Sequence, residues 1–130
     1  MKGPAVMKSV PKIIYCVDDN HYYLRCTCGY LSENYNVYAL SSGKHLLKLL
    51  EMQIADLILL EVEIEDMDGW ETITYLKENA TTKNIPVIFV SSNSSDEDME
   101  KGMSLGAVDY IAKPYLADDL IEKVRSHLDD

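Results

Sequence analysis

The sequence predicts an α/β fold in which helices cover both faces of a parallel sheet. From Lys12 onward, short apolar runs rich in β-branched residues alternate five times with segments of helical periodicity. Right-handed crossovers between parallel strands then place helices on both faces, which makes the sheet doubly wound. A chain of 130 residues suits one domain with a full core. We expect that domain to span residues 11 to 130 and residues 1 to 10 to be an N-terminal extension or tag.

The first half of the chain contains two complete strand-helix units and a third strand. The predicted elements are a strand at 12–18, a helix at 20–33, a strand at 35–40, a helix after Gly43 and a strand at 57–61. The second strand is short and half polar, so we expect it at an edge of the sheet. Helical spacing gives the two helices inward stripes of Leu24, Thr27, Cys28 and Leu31, and of Leu46, Leu47 and Leu50.

The second half continues the alternation to the end of the chain. The predicted elements are a helix at 70–79, a strand at 85–91, a helix from near Ser95, a strand at 107–111 and a helix at 117–129. Ser95 can cap its helix, and three acidic residues follow it in the first turn. The inward stripes are Trp70, Ile73 and Leu76 in the third helix and Leu120, Ile121, Val124 and Leu128 in the last.

The composition excludes several classes of function. With 22 acidic and 12 basic residues, the formal net charge is −10, which argues against nucleic-acid binding by this domain. An acidic surface suits a bound cation or a basic protein partner. We find neither an apolar stretch of the roughly 18 residues that a membrane span needs nor a secretory signal pattern. We therefore expect a cytoplasmic protein without membrane contact.

Three cysteines are an odd number for a disulfide framework. Cys16 falls in a predicted buried strand, and Cys26 and Cys28 fall in the first predicted helix, so we interpret all three as reduced core or surface thiols. A metal site formed by Cys26 and Cys28 is disfavoured because residues two apart on a helix point about 200° apart. Structural zinc sites also use wider spacings and further ligands.

Polar residues follow four of the predicted strands. Asp18 and Asp19 end the first strand, Glu61 ends the third, Ser91 ends the fourth and Lys113 follows the fifth. The carboxyl ends of parallel strands meet at one edge of the sheet, where ligands bind in open α/β folds. Clustered carboxylates repel one another unless a cation or a lysine compensates their charge. The pattern therefore predicts a polar crevice with a balanced set of charges.

This constellation resembles the receiver domains of two-component response regulators. The resemblance covers residues 12 to 129, and its motifs agree in order and spacing. Besides the residues at the strand ends, they include Asp56, Met67-Asp68-Gly69, Gly106-Ala107 and Tyr110. It implies a flavodoxin-like (βα)5 fold whose five-stranded parallel sheet has the order 2-1-3-4-5. The first and third strands are then neighbours, which brings Asp18, Asp19 and Glu61 together.

The resemblance also implies a magnesium site. By position, Asp18 and Asp19 match the acidic pair that holds Mg²⁺, and the backbone carbonyl of Glu63 matches the third protein ligand. Glu61 is the remaining residue that we expect to bind the ion. Mg²⁺ usually takes one or two carboxylates and keeps several waters, so we expect weak binding.

The remaining site residues match the family's phosphoryl-binding and switching positions. Ser91 matches the hydroxyl that binds a phosphoryl oxygen, and Lys113 matches the cation that balances its charge. Tyr110, together with Ser91, matches the switch that reports phosphorylation to the surface of the fourth helix, fifth strand and fifth helix. We expect exposed partner or homodimer contacts on that surface at Lys101, Asp109, Tyr110, Asp118 and Arg125.

Glu61 occupies the position at which the family has its phosphoacceptor aspartate. Its extra methylene moves the carboxylate by roughly one bond length, about 1.5 Å, and an error of ~1 Å in reacting geometry can cost ~10²-fold in rate. The longer side chain reaches toward Ser91 and Lys113, where it could imitate a phosphoryl group with less charge. Ile64-Glu65 is a second departure, because the family usually has Met-Pro there.

Three classes of function remain open. The first is a signalling receiver, not an enzyme, that works without phosphorylation or as a phosphomimetic. Its expected partners are a sensor histidine kinase or phosphotransfer protein and a downstream effector or output domain. The second is a phosphoacceptor switch that uses Glu61 or a neighbouring carboxylate. The third is a flavodoxin-like small-molecule binder, which is disfavoured because no Gly/Ser/Thr-rich phosphate loop follows the first strand.

Overall fold

The computed structural model describes residues 10 to 128, so the predicted extension lies outside the described residues apart from Val10. Five strands and five helices alternate through this part of the chain. The strands are β1 (Ile13–Val17), β2 (Asn36–Leu40), β3 (Leu57–Leu60), β4 (Val87–Ser91) and β5 (Asp109–Ala112). The helices are α1 (His21–Leu31), α2 (Gly43–Met52), α3 (Gly69–Glu78), α4 (Asp96–Ser104) and α5 (Ala117–Leu128).

All five strands are parallel, and their order is β2-β1-β3-β4-β5, as expected. The half-polar β2 lies at an edge, which confirms that prediction. In the register of the sheet, Val17 pairs with Leu40 on one side and with Leu60 on the other. Asp18 and Glu61 each follow the last residue of one of these strands. The register therefore delivers both carboxylates to the same edge.

The core lies in two layers, one on each face of the sheet. Tyr15 and Val17 of β1 pack on the face covered by α2, α3 and α4, whereas Ile14 and Cys16 pack on the face covered by α1 and α5. This alternation follows from the two-residue period of side chains along a strand. Full burial of a large apolar side chain contributes about 1.5–3 kcal/mol, so both layers are needed to hold the central strands. The doubly wound arrangement is confirmed.

Most predicted inward residues of the helices are buried, and Cys28, Leu47, Trp70 and Ile121 are half-buried. The sequence predicts that the fifth strand begins at residue 107, but it begins at Asp109. Gly106, with a φ of +113°, ends the turn after α4, and the Ala107 amide donates to the Gly102 carbonyl. A glycine in this conformation commonly terminates a helix, so residues 106 and 107 belong to the helix end.

Polar side chains fix where the helices begin. Asn20, Ser42, Asp68 and Ser95 each accept a hydrogen bond from a backbone amide in the first turn of the helix that follows. Ser95 forms a capping box with Asp98, which confirms the predicted cap. Within residues 10 to 128, no helix combines the length and apolar character that crossing a membrane requires.

Candidate functional site

Lys113 is the centre of an ion-pair network at the carboxyl edge of the sheet. Its Nζ lies 2.6 Å from Asp18 Oδ2 and 2.7 Å from Glu61 Oε1. The side chains of Lys113, Asp18 and Glu61 are only 5, 10 and 7% exposed. Burial lowers the pKa of Lys113, but the hydrogen bonds and charges of Asp18 and Glu61 more than offset it, so that pKa is raised. The lysine is a charged ammonium that joins two strand ends.

Glu61 uses both of its carboxylate oxygens. Oε1 accepts from Lys113, and Oε2 accepts from the backbone amides of Val62 and Glu63 at 2.6 and 3.2 Å. The backbone of Glu61 is fixed as well, because its amide donates to the Val17 carbonyl. Of the two groups toward which we expected Glu61 to extend, Lys113 and Ser91, only Lys113 makes a hydrogen bond to it within the described residues.

The two adjacent aspartates have different environments. Asp18 is buried, and its Oδ1 accepts from the Asn20 amide at 2.9 Å. Burial raises the pKa of Asp18, and the hydrogen bonds from Lys113 and Asn20 only partly oppose this effect. Asp19 is exposed, and its Oδ2 accepts from the Glu65 amide at 3.1 Å. Asp18 therefore belongs to the ion-pair network, whereas Asp19 holds the loop after β3.

The predicted gathering of Asp18, Asp19 and Glu61 around a cation is not found in this arrangement. Among residues 10 to 128, no group of three or more His, Cys, Asp or Glu side chains is placed to hold a metal ion. The oxygen ligands suit Mg²⁺ chemically, but the ammonium of Lys113 lies between Asp18 and Glu61. Glu63, expected to offer its carbonyl, has an exposed side chain and donates its amide to Glu61. The arrangement does not fit a bound metal while Lys113 holds both carboxylates.

Ser91 and Tyr110 both contact Asn93 in the loop that follows β4. Ser91 is fully buried, and its hydroxyl accepts from the Asn93 amide at 3.1 Å. The Tyr110 hydroxyl donates to the backbone carbonyl of Asn93. Burial, with smaller contributions from Asp98 and Glu61, raises the pKa of Tyr110 to about 12. The ring is thus turned inward, and its hydroxyl keeps its proton at neutral pH.

Two of the five residues expected on the exposed partner surface are not exposed. Lys101, Asp118 and Arg125 are exposed, but Tyr110 is buried and packs against Phe89. The expectation was also wrong for Asp109, which is half-buried and contacts two side chains, those of Lys123 and His127, at 3.1 Å each. Burial alone would raise the pKa of Asp109, but hydrogen bonds from the Tyr110 amide, His127 and Lys123 lower it.

Three contributing residues were missed by sequence reasoning. Asp66, in the loop after β3, accepts hydrogen bonds from Ser42, Gly43 and Lys44 and so holds the start of α2. Asn93 supplies the carbonyl that receives the Tyr110 hydroxyl. The ring of Tyr23 lies 4.3 Å from Lys113 Nζ in a cation–π contact. Each contact joins residues far apart in sequence, so local patterns carry no signal for it.

Comparison with known proteins identifies the class to which this fold and site belong. The family model described as "Response regulator receiver domain" matches residues 14–125. The chain belongs to this family and is the receiver domain of a two-component response regulator. It is a signalling domain of a kind that works with histidine kinases or phosphotransfer proteins and with effector domains, and that generally binds Mg²⁺ at its acidic pocket.

Two curated relatives and one solved structure illustrate the match. The chain is 38% identical over 115 residues to a probable cyclic di-GMP phosphodiesterase from Vibrio cholerae, covering 88% of this chain and 26% of that protein. It is 32% identical to the heme response regulator HssR from Staphylococcus aureus, covering 86% and 49%. A CheY-like response regulator receiver domain protein from Methanospirillum hungatei is 30% identical, with a TM-score of 0.84 and coverage of 93% and 95%. The chain thus spans half or less of the two curated relatives.

Proposed function

We propose that this chain is an atypical receiver domain in which Glu61 occupies the phosphoacceptor position and holds a phosphorylated-like conformation without a phosphoryl group. The observation that carries the proposal is the inward position of Tyr110, which is buried and whose hydroxyl donates to the Asn93 carbonyl. In the family, the switch residues report phosphorylation through this tyrosine. Here Tyr110 is already buried, although the acceptor position holds the unphosphorylated carboxylate of Glu61.

The contacts of Glu61 support a role as a charge partner more than as a nucleophile. Its Oε1 engages the Lys113 ammonium, which would otherwise balance a phosphoryl group, and its Oε2 is engaged by two backbone amides. Phosphorylation would require at least one of these bonds to break, in addition to the misplacement of about 1.5 Å caused by the extra methylene. A carboxylate carries one charge against about −1.5 to −2 for a phosphoryl group, so we expect the imitation to be partial.

Magnesium binding is proposed to be weak. Asp18 and Asp19, with the carbonyl of Glu63, remain the residues that would hold the ion. Binding requires Lys113 to release Asp18 or Glu61, because its ammonium lies between the two carboxylates. When bound, the ion would supply positive charge for phosphoryl oxygens. The free energy needed to separate the ion pairs would reduce the affinity.

The domain is proposed to signal by protein contacts in the cytoplasm. The surface formed by α4, β5 and α5 offers exposed Lys101, Asp118 and Arg125 to an effector, an output domain or a second copy in a homodimer. Opposite charges repeated across a two-fold axis suit such a symmetric contact. The net charge of −10 makes this domain unsuited to nucleic acid. We place the receiver domain at residues 11 to 130.

Incubation with acetyl phosphate and Mg²⁺, followed by intact-protein mass spectrometry, tests the proposal. The natural chain is expected to gain no phosphoryl group, whereas Glu61→Asp, which draws the carboxylate back by one methylene, is expected to gain one in a Mg²⁺-dependent manner. Glu61→Gln is the matched control without charge and should gain none. A phosphoryl group on Glu61 of the natural chain would overturn the proposal in favour of an active phosphoacceptor switch.

A second experiment tests whether Glu61 holds the Tyr110 ring in its inward position. Glu61→Gln removes the charge that Lys113 engages, so the Tyr110 ring should leave its inward position part of the time. NMR chemical shifts of the Tyr110 ring and of the Asn93 amide would report this movement. Glu63→Gln is the control, since the side chain of Glu63 is exposed. Unchanged Tyr110 shifts in Glu61→Gln would contradict a role for Glu61 in holding the conformation.

A further inference from the structure

Lys113 has a third neighbour besides the two carboxylates that it joins. A lysine ammonium has three N–H donors, and two of those of Lys113 go to Asp18 and Glu61. Within residues 10 to 128, the ammonium makes no other hydrogen bond. The centroid of the Tyr23 ring lies 4.3 Å from Nζ, which is within the range of a cation–π contact. The ring therefore faces the part of the ammonium that the carboxylates leave free.

The start of α1 brings the Tyr23 ring to this place. Asn20, the cap of the helix, accepts from the Tyr23 amide at 3.1 Å, and its own amide donates to Asp18 Oδ1 at 2.9 Å. The beginning of α1 is thereby joined to the first aspartate of the site. The Tyr23 ring also packs against the Tyr115 ring, with 5.9 Å between centroids, and Thr27 holds Tyr115 through a 2.6 Å hydrogen bond between hydroxyls. Backbone and side-chain contacts together fix the position of the ring.

The face of the ring, and not the hydroxyl, is the part of Tyr23 that acts on the lysine. Among residues 10 to 128, the Tyr23 hydroxyl makes no hydrogen bond. The Lys113 side chain is only 5% exposed, and cation–π attraction is stronger for a desolvated cation than for an exposed one. A lysine ammonium is otherwise carried on a flexible stem of four carbons. The ring thus restricts a charge that would be free to turn toward solvent.

We propose that Tyr23 is a positioning residue that holds the Lys113 ammonium between Asp18 and Glu61 and so makes the lysine a stronger competitor of Mg²⁺. The contact exists while the ammonium lies between the carboxylates, so it stabilises that arrangement and not one from which the lysine has withdrawn. Tyr23 therefore affects the affinity for the ion without touching it. The inference rests on the competition between Lys113 and Mg²⁺ proposed above, but not on Glu61 imitating a phosphoryl group.

The exchange of the Lys113 ammonium protons with water, measured by NMR, tests the positioning. Exchange should be slow in the natural chain, because two carboxylates and the ring surround the ammonium. Tyr23→Phe keeps the ring and should keep the rate, whereas Tyr23→Leu should raise it about fivefold, the factor that corresponds to a moderate cation–π contact. Tyr30→Leu is the matched control and should leave the rate unchanged, since Tyr30 lies on the same helix and packs against Tyr115.

Phenylalanines that carry increasing numbers of ring fluorines, placed at position 23, separate attraction from packing. Fluorine withdraws electrons from the face of the ring and weakens its attraction for a cation, with little change of shape. Exchange of the Lys113 ammonium protons should therefore become faster, and Mg²⁺ binding tighter, with each added fluorine. Rates and affinities that stay constant along the series would overturn the inference, because the ring would then act by packing alone. A Tyr23→Phe variant that behaves as Tyr23→Leu would overturn it as well.

Lys113→Met separates a failure of this inference from a failure of the proposed competition. Tyr23→Leu should tighten Mg²⁺ binding about fivefold in the natural chain and should have no further effect once Lys113 is methionine. A further effect in Lys113→Met would overturn the inference, because Tyr23 would then act on the ion by another route. If Lys113→Met itself leaves the Mg²⁺ affinity unchanged, the competition is wrong, and the exchange of the ammonium protons still decides whether Tyr23 positions the lysine.

Discussion

Lys113 Nζ lies 2.6 Å from Asp18 Oδ2, which ties the residue after β5 to the residue after β1. In the sheet, β3 and β4 separate these two strands. The lysine also contacts Glu61 after β3, so three strand ends share one ammonium. The charge at the centre of the site is therefore supplied by the chain itself.

Replacing Lys113 with methionine should destabilise the domain by about 3 kcal/mol at pH 7, since loss of one partner leaves buried charge uncompensated. Without the ammonium, which opposes the effect of burial on Asp18, the pKa of Asp18 should rise further. The deficit should therefore shrink as pH falls and Asp18 becomes neutral. Urea unfolding at several pH values measures this, with exposed Lys12→Met as the control. A deficit that does not vary with pH would contradict the charge argument.

The same substitution should strengthen magnesium binding. In Lys113→Met, Asp18 and Glu61 are released from the ammonium and can turn toward a cation. We expect Mg²⁺ titration, followed by amide chemical shifts, to give at least about tenfold tighter binding, corresponding to roughly 1.4 kcal/mol. Asp19→Ala should weaken binding in the natural chain. Equal affinities for the natural chain and Lys113→Met would show that the lysine does not compete with the ion.

Gly102→Ala tests whether the inward ring of Tyr110 depends on space beside α4. A Cβ at Gly102 would lie 3.0 Å from Phe89 Cδ2 and 3.0 Å from Tyr110 Cε2, so the rings would have to move by a few tenths of an ångström to accept it. We expect a loss of about 1–3 kcal/mol, typical of overpacking, and altered Tyr110 ring shifts. Gly29→Ala is the matched helical control, because nothing lies within 4 Å of its added Cβ. It should stabilise α1 by roughly 0.5–1 kcal/mol.

Asp66→Asn should weaken the start of α2. Burial would raise the pKa of Asp66, but hydrogen bonds from Lys44, Ser42 and Gly43 lower it. A lowered folded pKa stabilises the protein above the unfolded value near 3.9, and this contribution is lost as pH falls through the folded pKa. Because Asp66 is exposed and solvent screens its charge, the substitution should cost at most about 1 kcal/mol at pH 7 and nothing once the carboxylate is protonated at low pH. Thermal unfolding against pH measures it, with exposed Glu65→Gln as the control.

Sequence patterns predicted the fold closely because they report which face of an element is apolar. The alternation of apolar runs with helical segments predicted the doubly wound sheet, and helical spacing correctly predicted that Leu120 and Val124 are buried. The edge position of β2 followed from its half-polar composition. The start of β5 was set two residues too early, since a pattern does not reveal that Gly106 has a positive φ.

The site was predicted less completely, because its contacts depend on side-chain rotamers. Strand register brings Asp18, Glu61 and Lys113 to one edge, and sequence reasoning anticipated that. It did not anticipate that the flexible lysine would hold both carboxylates, nor that Asp19 would turn to the Glu65 amide. The burial of Tyr110 was missed because it depends on a glycine that faces it from α4.

The ion-pair network also determines which parts of the sheet can open separately. Three backbone hydrogen bonds close this edge of the sheet. The Asp18 amide donates to the Leu40 carbonyl, the Glu61 amide to the Val17 carbonyl, and the Lys113 amide to the Ser91 carbonyl. A local fluctuation that freed one of these amides would also have to separate charges joined to the other strand ends. Hydrogen exchange at the three amides should therefore proceed through one common opening with a similar free energy, well above that of the exposed loops. The carboxyl edge of the sheet would then behave as a single cooperative unit.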